Sequence, residues 1–203
     1  ELFKRHRRVK LGALRRGDGL QRPDAELKHH VRPMPRLRQS NSGHFDIGGG
    51  LGIPYFPGET RLDLEPVSEN LQRLLNERDI LAETEIVTEL GRYLVGEAGL
   101  YVCEVIDRKE SKGEVFLVTN GGLHHHLAAS GNFGQVLRKN YPVAVATQMD
   151  SDEKEIVNVV GPLCTPLDLL GKKMLLPKAQ PGDLVAVYQS GAYGYTASPR
   201  DFL

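Results

Sequence analysis

The chain has 203 residues, in which 26 Lys and Arg balance 26 Asp and Glu, 40% of the residues are apolar and Trp is absent. This is ordinary globular composition, which excludes a disordered tail or a collagen-like repeat. Two cysteines, Cys103 and Cys164, are too few for a disulfide framework and point to a reducing, cytoplasmic setting, and no apolar run approaches the roughly 20 residues of a membrane span.

The first residues, Glu1-Leu-Phe-Lys-Arg-His-Arg-Arg8, have no apolar h-region, so no signal peptide is expected. The neutral total hides a split. Residues 1–43 carry 12 Lys and Arg against 4 Asp and Glu, whereas residues 44–203 carry 14 against 22. Pro23, Pro33 and Pro35 break any helix in the later part of the basic segment. Phe3 is its only aromatic residue, so it reads as a solvated arm and no nucleic-acid partner is expected.

From His44 the texture changes. His44-Phe-Asp-Ile-Gly-Gly-Gly50 predicts a short strand that ends in a glycine turn. Val67, Leu71, Leu74 and Leu75 recur at helical spacing and predict an amphipathic helix over Pro66–Arg78. Glu85-Ile-Val-Thr-Glu-Leu-Gly-Arg92 predicts a second strand. Strand, glycine loop, helix and strand make a β/α unit with a parallel sheet. After about residue 96 the pattern becomes all-β. Five β-branched runs predict strands over 100–106, 114–119, 142–146, 155–160 and 183–188, separated by Lys112-Gly113, Asn120-Gly-Gly and Pro181-Gly-Asp turns.

Four constellations along this frame carry chemistry. The Gly48-Gly49-Gly50-x-Gly52 turn lets backbone N–H groups approach a phosphate without obstruction by Cβ. It matches neither Gly-x-Gly-x-x-Gly nor a P-loop, and read alone it is a tight turn. Glu89 and Arg92 stand at the C-terminal end of a strand, where β/α barrels place catalytic groups; the alternative is a surface ion pair. Cys164 lies in a proline-bounded loop that runs to Asp168, and a lone cysteine is as readily a small buried hydrophobe. Tyr193 sits in a Gly-Ala-Tyr-Gly turn, where its phenol could meet a phosphate. His124-His125-His126 looks like a metal cluster, but neighbouring residues of a strand point to opposite faces and no further ligand lies close by, so no metal is expected.

The order of these elements resembles the C-terminal part of the ornithine/diaminopimelate family of fold-type III pyridoxal-phosphate decarboxylases. The resemblance extends to the branch called exosortase-A-associated pyridoxal-dependent decarboxylases. It is carried by residues 44–52, Gly91-Arg-Tyr-Leu-Val-Gly-Glu-Ala-Gly99, Gly121-Gly-Leu-His-His-His-Leu-Ala-Ala-Ser-Gly-Asn-Phe-Gly-Gln135, Val159-Val-Gly-Pro-Leu-Cys-Thr-Pro-Leu-Asp-Leu-Leu-Gly171 and Gln189-Ser-Gly-Ala-Tyr-Gly194. It implies the end of an alanine-racemase-like β/α barrel over residues 44–95, then a β-sandwich or β-barrel domain over 96–203. It implies pyridoxal 5'-phosphate as cofactor and a homodimer. Gly48, Gly49, Gly50, Gly91 and Tyr193 would bind the cofactor and its phosphate, and Glu89 would face the ring nitrogen. Arg92 would touch the phosphate or a substrate carboxylate. Cys164 would return a proton to the decarboxylated carbon, reaching into the partner's site. Arg138, Tyr141 and Asp168 would contribute to substrate binding.

The sequence departs from the family in four places. Leu90 replaces the proline of the usual Glu-Pro-Gly-Arg. Thr165 follows the cysteine where relatives acting on diamino acids carry Asp or Glu, and a hydroxyl cannot pair with a distal ammonium. None of Lys4, Lys10 and Lys28 resembles the Schiff-base lysine, and residues 1–43 do not resemble the preceding barrel segment. The expectation is therefore a fragment of an amino-acid decarboxylase, inactive alone. Carrier-protein-linked decarboxylation and a non-catalytic binding or dimerisation module are the alternatives.

Overall fold

The computed structural model describes residues 43–77 and 84–202, with the backbone of 10–11. The basic segment and its lysines therefore lie outside the described residues, apart from Gly43 and the backbone of Lys10–Leu11. The chain divides into two units. The first comprises residues 1–52 and 61–91, and the second 53–60 and 92–203. Among the described residues, no helix is long and apolar enough to cross a membrane.

In the first unit, strand β1 (Lys10–Leu11), strand β2 (His44–Gly49) and strand β3 (Glu85–Glu89) form a parallel sheet in the order β1-β3-β2. Helix α1 (Glu65–Asn76) connects β2 to β3, as the sequence periodicity predicts. The Asp63 carboxylate accepts the Glu65 N–H at 3.0 Å, Pro66 fixes the first turn, and Arg73 pairs with Glu77 at 2.9 Å near the far end. Leu71 and Leu75 of α1 cover Phe45 and Ile86 of the sheet. Strand β3 stops at Glu89, shorter than predicted. Gly91 opens helix α2 (Gly91–Val95), whose residues from Arg92 onward belong to the second unit together with a 3-10 turn at Gly96–Ala98.

The second unit is built on six strands: β4 (Tyr101–Ser111), β5 (Glu114–Thr119), β6 (Val143–Val145), β7 (Lys154–Val160), β8 (Leu169–Pro177) and β9 (Leu184–Val187). Their order is β6-β9-β4-β5-β7-β8, with only β5 and β7 parallel. Edge strands β6 and β8 come back into contact, so the sheet curls towards a barrel. Alternation fills its interior with Val105, Leu117, Val145, Val157, Val159, Leu170, Val185 and Val187, all fully buried. Each such side chain contributes about 1.5–3 kcal/mol. Lys112 and Gly113 both adopt positive φ, which matches the twist of the β4–β5 hairpin.

Five of these strands follow the predicted runs, and β8 does not. Leu-Leu-Gly-Lys-Lys-Met-Leu-Leu contains no β-branched residue, and Lys173 is left-handed at φ +48°. The strand forms by antiparallel pairing with β7, and Asn158, buried beside it, accepts the Lys173 N–H at 3.0 Å. Asn140 in turn exchanges two hydrogen bonds with the Lys172 backbone, at 2.8 and 2.9 Å. Side-chain amides thus replace the ladder where the register shifts.

Two polar groups organise the loops at one end of this sheet. Asp168 is 3% exposed. Its Oδ1 accepts the Leu123 N–H at 2.6 Å and its Oδ2 accepts the Leu163 N–H at 2.8 Å. A Cβ on Gly122 or Gly161 would lie 2.2–2.3 Å from these oxygens, so both glycines are needed for the approach. His126 is fully buried. Its Nδ1 accepts the Ala129 N–H at 3.2 Å, so Nε2 carries the proton and donates to Ser190 Oγ at 2.8 Å. Ser190 Oγ donates onward to the Val187 carbonyl at 2.8 Å. Burial pushes the His126 imidazole down to about 4.

Asp168→Asn leaves one backbone N–H facing an amide nitrogen, and urea denaturation should show a loss of about 1–3 kcal/mol. His126 binds a proton more readily unfolded than folded. Stability should therefore be intact above about pH 6.5 and fall between about 6.5 and 4, by at most about 3 kcal/mol. Denaturation at a series of pH values should give a shallower slope over that window for His126→Gln.

Candidate functional site

In the first unit, the glycine turn closes β2 beside the end of β3. Gly48 and Gly50 are left-handed, at φ +77° and +93°. A Cβ at either would stand in open space, so the backbone there is bare. The Gly48 N–H donates to Asp46 Oδ1 at 2.7 Å, which fixes the start of the turn. A Cβ on Gly49 would fall 1.8 Å from the Glu89 carbonyl oxygen, so only glycine permits this approach of β2 to β3. Glu89 is partly buried at the C-terminal end of β3, and Gly91 follows in the helical turn. An exposed run of glycine backbone after a parallel strand fits the phosphate of a pyridoxal phosphate.

In the second unit, the Arg92 guanidinium lies over two aromatic rings. Its guanidinium carbon is 4.7 Å from the Tyr193 ring centre and 5.5 Å from that of Tyr55. Among the described residues Arg92 has no carboxylate in an ion pair, so its charge is available to an anion. Tyr193 has φ +61°, a conformation that is uncommon outside glycine and asparagine. The turn holding it is fixed by the Ser190 N–H on the Gly99 carbonyl and the Gly191 N–H on the Gly96 carbonyl, at 3.0 and 2.9 Å. A Cβ on Gly191 would fall 1.7 Å from the Val95 carbonyl oxygen. This contact carries Tyr193 to Arg92.

The remaining predicted residues lie apart from this pair. Arg138 donates from Nη2 to the Leu169 carbonyl at 2.6 Å and from Nη1 to the Ser130 carbonyl. It is half-buried with no carboxylate beside it, and desolvation lowers its proton affinity. Tyr141 packs into the core against Tyr55, Phe56 and His126, and burial raises its pKa. Asp168 holds its two backbone amides and so shapes the loop that displays Cys164, an exposed free thiol. In the same loop Thr165 Oγ1 accepts the Leu167 N–H at 3.3 Å. The His124 and His125 rings lie 3.9 Å apart, tilted at 44°, and His125 Nδ1 lies 3.2 Å from the Tyr101 hydroxyl.

Two residues in this constellation escaped the sequence reading. Tyr55 lies in Ile-Pro-Tyr-Phe-Pro, and the aromatic pair between prolines is the signal that could have found it. His126 was weighed as a metal ligand, whereas it braces the turn that carries Tyr193.

Comparison with known proteins places these features in one family. Residues 34–96 match the family model described as "Pyridoxal-dependent decarboxylase, pyridoxal binding domain", and residues 92–191 match "Pyridoxal-dependent decarboxylase, C-terminal sheet domain". The L-glutamyl-[BtrI acyl-carrier protein] decarboxylase of Niallia circulans is 46% identical over 163 residues, covering 78% of this chain and 38% of that protein. The diaminopimelate decarboxylase of Campylobacter jejuni is 32% identical over 168 residues, covering 83% and 39%. The crystal structure of diaminopimelate decarboxylase from Helicobacter pylori complexed with L-lysine superposes with a TM-score of 0.64 at 28% identity, covering 76% of this chain and 36% of that one. The chain thus spans about two fifths of the length of the curated relatives it matches. Its two consecutive matches, glycine turn and sheet domain together assign it to the fold-type III pyridoxal-phosphate decarboxylases of the ornithine/diaminopimelate family.

Proposed function

We propose that the complete protein carrying this sequence is a pyridoxal-phosphate-dependent decarboxylase of an amino acid or amino-acid conjugate. The observation that carries this reading is the bare glycine turn after β2, within a segment matched to a pyridoxal-binding domain. Pyridoxal phosphate, when bound, supplies a ring that takes up the electron pair left as the α-carboxylate departs. In the first unit, the Gly48-Gly49-Gly50 turn holds the phosphate, with the Gly48 N–H fixed on Asp46 Oδ1. Glu89, with Gly91 following it, offers its carboxylate to the ring nitrogen, which keeps that nitrogen protonated. In the second unit, Arg92 and Tyr193 supply an anion-binding guanidinium and phenol. Cys164, on a loop held open by Asp168, delivers the proton to the carbon that has lost CO₂. Its exposure supports delivery across a homodimer interface, and two unpaired thiols support a cytoplasmic setting.

One observation favours a carrier-linked substrate. Between Gly161 and Asp168 the sole carboxylate is Asp168 itself, buried on two amides. Thr165 adds no negative charge, so this loop offers nothing to a distal ammonium. Arg138 then faces a substrate whose far end is tethered rather than charged, and Tyr141 supports the site from the core.

Release of CO₂ from an amino acid linked to a carrier protein, compared with the free amino acid, tests this with the complete protein. The linked substrate should be turned over with kcat/KM at least about tenfold higher, and preference for free diamino acids would overturn the carrier reading. Cys164→Ser should lower kcat about 10²-fold or more with little change in KM, in keeping with the contribution of a general acid. Unchanged kcat would remove Cys164 from the chemistry.

A further inference from the structure

We propose that Tyr55 is a positioning residue for Arg92, forming with Tyr193 an aromatic clamp that aims the guanidinium at an oxyanion. This rests on the anion-binding role proposed above for Arg92. The Arg92 guanidinium lies over two rings, that of Tyr193 at 4.7 Å and that of Tyr55 at 5.5 Å. A planar cation held over two π faces keeps its N–H edge free for an oxyanion, and an Arg is suited to this where a Lys is not.

Tyr55 itself is held from several directions. It is 7% exposed. Tyr141 backs it at 5.1 Å and Phe56 at 6.2 Å. Glu59 Oε2 accepts the Tyr55 and Phe56 N–H groups at 3.1 and 3.3 Å, and Gln189 Nε2 donates to the Pro54 carbonyl at 3.0 Å. The Gln189 contact ties Tyr55's loop to the turn that carries Tyr193, so the two halves of the clamp move as one.

The Tyr55 hydroxyl is buried with no hydrogen-bond partner among the described residues. The ring face therefore does the positioning, and the hydroxyl plays no part in holding the fold. Burial also raises its pKa, so it stays neutral and does not compete with the bound anion for Arg92.

The complete protein, stripped of cofactor, tests this by titration with pyridoxal phosphate followed by absorbance, and with inorganic phosphate followed by calorimetry. Tyr55→Phe should bind both as the unsubstituted protein does. Tyr55→Leu should weaken both about five- to tenfold, with the KM for cofactor rising by a larger factor than kcat falls. Unchanged affinity in Tyr55→Leu overturns the clamp. Equal weakening in Tyr55→Phe also overturns it, because the hydroxyl would then be the ligand. Where Tyr55→Leu does not fold, Tyr55→Met replaces it, and Arg92→Lys probes the other partner. Lysine has no planar face, so the same weakening is expected and undiminished affinity overturns the proposal. Binding of phosphate but not of pyridoxal phosphate by the unsubstituted protein, with the same Tyr55 pattern, upholds the clamp and overturns the decarboxylase reading instead.

Discussion

The second unit depends on one buried carboxylate. Among the described residues Asp168 has no cationic partner, and it is instead solvated by two backbone N–H groups, those of Leu123 and Leu163. These amides come from loops that follow different strands, β5 and β7. A single side chain therefore ties the loop of the three histidines to the loop of Cys164. The approach needs bare backbone at Gly122 and Gly161, where any Cβ would strike the carboxylate. A buried anion is tolerated only when its lone pairs are filled, so removing either partner loop leaves a charge without compensation.

The same economy of backbone recurs wherever chemistry is expected. Gly49 lets β2 approach β3, and Gly191 lets the Tyr193 turn rest on the end of α2. In both cases a carbonyl oxygen occupies the space that a Cβ would need. The turn after β2 and the turn of Tyr193 are thus set by close contacts between backbones, which hold them within narrow limits. Arg92 then needs no carboxylate to orient it. The π faces of Tyr193 and Tyr55 fix its plane and leave its charge uncancelled.

Neutral polar groups complete the frame. Buried His126 stays uncharged, and its two nitrogens are divided between a backbone donor and Ser190. Asn158 and Asn140 repair the ladder at the Lys172–Lys173 irregularity. Each is a short-range polar residue acting on backbone that the regular hydrogen-bond pattern does not reach.

Much of this was legible in the sequence. The β/α unit follows from period 3.6 in α1 and from strands that end in turn residues. Five of the six strands of the sheet domain follow from β-branched runs. The glycine turn, Glu89, Arg92, Cys164 and Tyr193 could be singled out because their residue types and order match a family. Strand β8 was hidden because its Leu, Lys and Met residues have no strand bias, and only pairing with β7 and the Asn158 contact make it one. The structural load on Asp168 and His126 was hidden for a related reason. An Asp near a cysteine and a His in a histidine run look functional by composition, whereas one partner of each lies 45 or 64 residues away in sequence. Local pattern, which is set by backbone periodicity and turn chemistry, thus determined the elements and the family. Contacts between distant segments, which depend on desolvation and the room left by absent Cβ atoms, decided which polar side chains hold the fold and that Tyr55 stands beside Arg92.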